Sequence, residues 1–238
     1  MLDDTQLHTV MPTLAEAKRA LYLPHLNAAM RASGIGTTLL RTAAFVAQLA
    51  HESGEFRCME EIWGPTPAQL RYEPPSDLAQ RLGNTEPGDG KRFKGRGPIQ
   101  ITGRFNYAKY GRLLGRDLVT EPALAGAPEL AFATAGLFWQ TNGLNELADA
   151  QDFVTITRRI NGGTNGLADR QMYFARAKSV LATGFVADPL PRGAAGSRSG
   201  AAAAPLTRGY EAISRSERAM KAAAARTAKS APLRRAKT

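Results

Sequence analysis

The run LLRTAAFVAQLAHESGEF, residues 39–56, constrains the fold of this chain more than any other stretch. Thr37 or Thr38 supplies an N-cap for it, and Gly54 breaks it, so a helix is predicted to end near Ser53. Phe45 and Leu49 lie seven and three residues before Glu52, so all three share one helical face. Glu52 therefore continues an apolar stripe and sits in the last turn, where the helix dipole presents partial negative charge. Both effects disfavour an ionised carboxylate and are expected to raise its pKa. A carboxylic acid that keeps its proton near neutral pH suits general acid catalysis. The competing reading is a helix-end glutamate turned to water.

If Glu52 is an acid, a second carboxylate is expected nearby. Glu60 and Glu61 follow in CMEEIWG, beyond the Gly54 break. Glycoside hydrolysis by the common route uses two carboxylates flanking the scissile bond. Either of the two could serve, and a solvated pair at a helix start is the alternative. Cys58 is the one cysteine of the chain, which excludes an internal disulfide. It is expected to be an ordinary buried thiol. His8, His25 and His51 share no i,i+4 spacing, so no metal and no cofactor is expected.

Residues 1–185 read as one mostly helical domain. Thr13-Leu14-Ala15-Glu16 has the form of a capping box ahead of a helix, and Pro24 is expected to end that helix or start the next. Helices are predicted over 129–141, over 152–160 with Asp152 as N-cap and Gly162 past its end, and over 167–182. Trp139 is expected in the core. Residues 64–106 hold six of the fourteen prolines and seven of the 23 glycines, with a short hairpin predicted around Gly95–Pro98. There Ile99 and Ile101 would point inward, leaving Gln100 and Thr102 to face a ligand. Trp63 and Tyr107 are candidates for stacking on sugars.

After Phe185 the composition turns to Ala, Gly, Pro, Ser and Arg, which reads as linker and basic tail, 186–238. Of the net charge of +10, residues 187–238 carry eleven Lys/Arg against three acids, so the main domain is nearly neutral. A nucleic-acid-binding reading of the high pI therefore finds no support in the domain. The tail is expected to favour anionic envelope surfaces, with a weak helix over 207–229. No secretory leader is read in MLDDTQLHTVMP and no membrane span is expected.

Four motifs in order, AAFVAQLAHESGEF, EEIW, GRGPIQITGRFNYAKYG and INGGTNGLADRQMYF, resemble glycoside hydrolase family 19, which holds plant-type chitinases and bacteriophage endolysins. The match runs from about Arg41 to Lys178, and the short middle and HESGEF are more similar to the endolysin branch. The resemblance implies a mainly α, two-lobed, lysozyme-like fold with a small β-hairpin and a central cleft. It implies Glu52 as catalytic acid and Glu61 as the acid that activates water in an inverting reaction. Thr66 falls where such endolysins hold that water, and His51, Gln100, Thr102, Asn106, Tyr107, Asn161 and Arg170 fall at substrate-binding positions. Gly64 and Pro65 stand where the family usually has Asn-Tyr. The implied substrate is the peptidoglycan glycan strand, cut between N-acetylmuramic acid and N-acetylglucosamine to lyse a host cell. Chitin, or an antibacterial toxin role for the same chemistry, is the alternative. A monomer made in the host cytoplasm and acting on the wall after release is expected.

Overall fold

The computed structural model describes residues 1–189 and is built of helices. The first three are α1 (Asp4–Val10), α2 (Glu16–Ala32) and α3 (Leu39–Ser53). Short helices α4 (Pro67–Leu70), α5 (Asp77–Leu82) and α6 (Asp89–Arg92) lie in the middle. The rest are α7 (Arg104–Leu114), α8 (Pro128–Thr141), α9 (Leu144–Asp149), α10 (Phe153–Asn161) and α11 (Leu167–Leu181).

α3 is the axis of the molecule. Every residue from Thr42 to Ala50 is buried, so the helix is apolar all round rather than along one stripe. Thr38 caps it through a hydrogen bond from the Arg41 N–H, and Gly54 ends it in the left-handed conformation. α11 lies along α3, and α2 lies along α8. Phe45 meets Trp139 edge-on at 5.2 Å, and Tyr22, Phe56 and Phe132 form a second aromatic cluster. Trp139 is core as expected, its Nε1 donating to Asn145 Oδ1 at 3.0 Å.

A separate small cluster of Tyr72, Leu78 and Leu82, with Trp63 packed against it, gives part of the middle segment its own apolar support, while Phe93, Ile99 and Ile101 join the main core. An unusual turn follows α3. Gly54, Glu55 and Phe56 all have φ near +58°, a region that non-glycine residues avoid. Glu55 is fixed there by hydrogen bonds to one oxygen from Thr13, both N–H and hydroxyl, and to the other from the Tyr173 hydroxyl at 2.8 Å.

That contact corrects one expectation. Thr13 caps no helix: α2 starts after Ala15 without a side-chain cap, because the Thr13 hydroxyl is committed to Glu55, 42 residues away. A second correction is Pro24, which lies inside α2. Loss of one backbone donor is tolerated where the helix is held by packing against α8. The expected hairpin is reduced to single antiparallel rungs, Glu60 with Arg96 and Arg96 with Ile101. Gln100 has φ +53°, which breaks strand alternation, so Ile99, Gln100, Ile101 and Thr102 are all buried. Cys58 is exposed rather than buried, since it follows the turn onto the surface.

Contacts with the body continue past the boundary expected at 185. The Asp188 N–H donates to Gly36 O at 2.8 Å, and the terminal amine of Met1 donates to Val186 O at 2.9 Å. The predicted 207–229 helix lies outside the described residues.

Candidate active site

The residues singled out in the sequence gather in two groups. The first is at the α3–α11 contact. Glu52, half-buried in the last turn of α3, accepts a hydrogen bond on Oε1 from Arg170 Nη2. Arg170 is 2% exposed, and its Nη1 donates to Gln48 Oε1 one turn earlier on α3. Its Nε donates to Asn165 O at 3.3 Å, and the Asn161 side-chain amide donates to the same carbonyl at 2.8 Å. Asn161, at the end of α10, is thus tied to the arginine that holds Glu52. Gln48 in turn donates to Thr157 Oγ1 at 2.8 Å, linking α3 to α10.

One residue before each member of the Glu52–Arg170 pair is a second pair. His51 Nδ1 lies 2.6 Å from Asp169 Oδ2. Burial lowers the His51 pKa and the Arg170 charge adds to that, outweighing the pull of Asp169 and Glu52. The ring is therefore neutral near pH 7, with Nδ1–H donating to the carboxylate. Gly166 leaves room for it: a Cβ at Gly166 would stand 2.5 Å from Nε2, and its φ of +69° is a second reason for glycine.

The second group surrounds Glu61. Segment 58–61 is laced to loop 95–101: the Glu61 N–H donates to Gly95 O, and the Gly97 N–H to Met59 O, each at 2.8 Å. The carboxylate of Glu61 receives one donor on each oxygen. Gln69 Nε2 reaches Oε1 at 3.0 Å, and the Gly95 N–H reaches Oε2 at 2.9 Å. Glu60 points elsewhere. It is exposed, 3.1 Å from both Lys94 Nζ and Arg96 Nε. Burial opposes its ionisation, but the two cations outweigh that and hold its pKa below the usual range.

Thr66 is the N-cap of α4, accepting the Gln69 N–H at 3.3 Å, while the Gln69 side chain accepts the Thr66 N–H at 2.8 Å. The polar residues of loop 95–107 are bonded within the protein. Gln100 Nε2 donates to Cys58 O and Gly97 O, Thr102 Oγ1 to Gln100 O, and Asn106 Nδ2 to Thr102 O. Tyr107 is wholly buried, receiving Arg96 Nη1 at 2.7 Å and donating to Lys94 O at 2.6 Å, and burial pushes its phenol pKa up. The close approach at Gly95 is to Gln100 Oε1, where a Cβ would come within 2.6 Å.

Sequence reasoning passed over Gln48, Asp169 and Gln69. A glutamine inside the otherwise apolar run of α3 is a legible signal, since a buried amide demands partners. Thr66-Pro67-Ala68-Gln69 has the capping-box form with proline at the first helical position.

A family model described as class I chitinase, glycoside hydrolase family 19, matches residues 23–188. A glycosyl hydrolase family 19 domain-containing protein of Haemophilus influenzae is 38% identical over 154 residues, covering 55% of this chain and 75% of the relative. An endochitinase of Arabidopsis thaliana is 44% identical over 122 residues, covering 51% of this chain and 39% of the plant protein. The chain thus spans well under half the length of that plant enzyme. Among solved structures, a bacterial family 19 chitinase superposes with a TM-score of 0.61 at 23% identity, over 79% of this chain and 97% of the other. A class IV chitinase from Zea mays gives a TM-score of 0.56 at 26% identity, over 80% and 95%.

Proposed function

This chain belongs to the class I chitinase family, glycoside hydrolase family 19, and from that premise we propose that it hydrolyses the β-1,4 bonds of peptidoglycan glycan strands, with Glu52 as general acid and Glu61 as general base. The observation that carries the reading is the contrast in how the three carboxylates are held. Glu52 is oriented by a buried guanidinium and Glu61 by one neutral donor on each oxygen, whereas Glu60 is neutralised by two cations.

In this reading the glycosidic oxygen takes the proton of Glu52 as its bond to the anomeric carbon breaks. A water oxygen bonds to that carbon from the opposite face and gives one proton to Glu61. Proton exchange with solvent restores both groups, and the anomeric configuration inverts. Arg170 holds Glu52 through Oε1, so the transferable proton is carried on Oε2. His51, neutral and locked by Asp169, keeps the end of α3 in register with α11. Gln100, Thr102, Asn106, Tyr107 and Asn161, bonded within the protein, shape the loops beside the two carboxylates rather than touching substrate, and Thr66 serves the water near Glu61. The basic tail concentrates the enzyme on anionic envelopes.

Peptidoglycan is preferred because HESGEF and the short middle segment are more similar to the endolysin branch. The names of the plant relatives favour chitin as the second reading. Mass analysis of products from purified peptidoglycan, with chitin in parallel, separates the two. New reducing ends on N-acetylmuramic acid support the first reading, and release from chitin alone supports the second. Glu52→Gln is expected to lose about 10²–10⁴ in rate. Glu61→Gln should lose nearly as much, and Glu60→Gln should stay within a few-fold. If the wild type opens neither polymer, or if Glu52→Gln matches it, the assignment fails.

A further inference from the structure

Residues 61–69 form a short loop closed by a single buried side chain. Gln69 is 0% exposed, yet its amide is fully engaged. Oε1 accepts the N–H groups of Thr66 at 2.8 Å and Gly64 at 3.2 Å, and Nε2 donates to Ile62 O at 2.8 Å and Glu61 Oε1 at 3.0 Å. These are the two acceptor and two donor positions that a glutamine possesses. The orientation of the amide follows: flipped, it would set N–H against N–H and oxygen against carboxylate.

We infer that Gln69 is a positioning residue for Glu61, fixing the carboxylate relative to the reacting water; this rests on the assignment of Glu61 as general base. The loop has little else to hold it. Ile62 is 90% exposed, and Gly64 and Pro65 are exposed as well, so between Glu61 and Thr66 packing is confined to Trp63 against the Tyr72 cluster. Gln69 adds four hydrogen bonds to that packing and sends one of them to the carboxylate. The Gly95 N–H supplies the second donor from the opposite side. Together the two restrict rotation about the Glu61 side chain, and a general base must be held within hydrogen-bond reach of the proton it takes. Leucine at position 69 would fill the space and make no hydrogen bond. Glutamate would accept from the two backbone N–H groups, and could donate to Glu61 once protonated.

The test uses the full chain with Gln69→Leu and Gln69→Glu, and whichever glycan the wild type turns over. Unfolding midpoints are measured at each pH. Gln69→Leu is expected to lower kcat by about 10²-fold with KM changed less than about two-fold, since misplacing a reacting group by about 1 Å costs that much. In Gln69→Glu, two carboxylates share a site, so one holds a proton to higher pH than usual. Its kcat relative to wild type should therefore rise as pH falls from about 7 towards the ordinary glutamate range near 4.3. A purely structural role predicts a ratio that follows the unfolding midpoint instead. The inference is overturned if folded Gln69→Leu keeps wild-type kcat, or if the Gln69→Glu ratio is flat with pH. If Gln69→Leu does not fold, the Gln69→Glu ratio decides; a Gln69→Glu chain unfolded at every pH makes the residue structural and also overturns it. A wild type inactive on both polymers, or an active Glu61→Gln, removes the general-base assignment and this inference with it. An inactive Glu61→Gln beside a fully active Gln69→Leu removes this inference alone.

Discussion

Arg170 on α11 donates from Nη2 to Oε1 of Glu52 at the end of α3, and it does so from a position 2% exposed to solvent. The contact joins the first turn of one helix to the last turn of the other. The sequence weighed only burial and the α3 dipole, both of which disfavour a charged Glu52. The guanidinium favours the carboxylate, so the proposed acid role of Glu52 requires burial and the α3 dipole, which favour the neutral form, to outweigh it.

Arg170→Leu should be strongly destabilising. It strips the buried partner from Glu52, Gln48 and Asn165 at once, and removing one member of a buried pair costs about 3–5 kcal/mol. Denaturant unfolding measures this directly. Arg170→Lys should not restore activity, because one ammonium nitrogen cannot reach the Glu52, Gln48 and Asn165 acceptors that the guanidinium meets with three separate nitrogens. An unchanged midpoint for the leucine variant would contradict the account of the site.

Gly166→Ala tests the His51–Asp169 pair. The new methyl would overlap the His51 ring, and the backbone there has φ +69°. Overpacking of this kind costs about 1–3 kcal/mol, and displacing His51 should also lower activity. The His51 ring resonances in an NMR titration report the change. Unfolding and His51 titration both like wild type would refute the packing argument.

Glu55→Gln tests the turn after α3 through pH. Burial opposes ionisation of Glu55, but the hydrogen bonds from Thr13 and Tyr173 outweigh it and lower the pKa. With the folded value below the unfolded one, the stabilisation is present above the ordinary value near 4.3 and is lost as pH falls through the folded value. The variant should be less stable than wild type by about 2–3 kcal/mol at pH 7. Unfolding curves from pH 7 to about pH 3 should show the gap closing on the acid side. A gap that widens in acid would reverse the assignment.

Two truncations test where the catalytic body ends. A chain ending at Phe185 loses the Val186 and Asp188 contacts to Met1, Gly36 and Arg31, whereas one ending at Pro189 keeps them. The shorter chain is expected to melt a few degrees lower, because each lost hydrogen bond contributes about 0.5–1.5 kcal/mol. The longer one should keep full activity on soluble glycan and lose binding to anionic envelopes, a loss that added salt makes smaller. Equal melting of the two would place the boundary at 185.

Where local signals and packing agree, the sequence was sufficient. α10 is rich in Val, Ile and Thr, yet Asp152 caps it and Gly162 ends it as expected, because both ends carry their own partners within a few residues. The same holds for α3, for α8 and for the core position of Trp139. Thr13 shows the limit. Its capping-box form is genuine as a pattern, but a buried carboxylate 42 residues away competes for the same hydroxyl. Gln69 shows the reverse case: the Thr66–Gln69 box forms, and its side chain then does more than cap by reaching Glu61.

The sequence by itself determined the helical class, the ends of α3, α8, α10 and α11, the family and the candidate acids, since these rest on periodicity, caps and motifs read over a few residues. Tertiary structure alone decided that Arg170 holds Glu52, that Glu60 is neutralised by Lys94 and Arg96, and that Gln69 and Gly95 hold Glu61. Those relations join residues 8 to 118 positions apart. Nothing in local spacing encodes which buried donor meets which carboxylate. That choice is made when the helices pack and every buried polar group must find a partner.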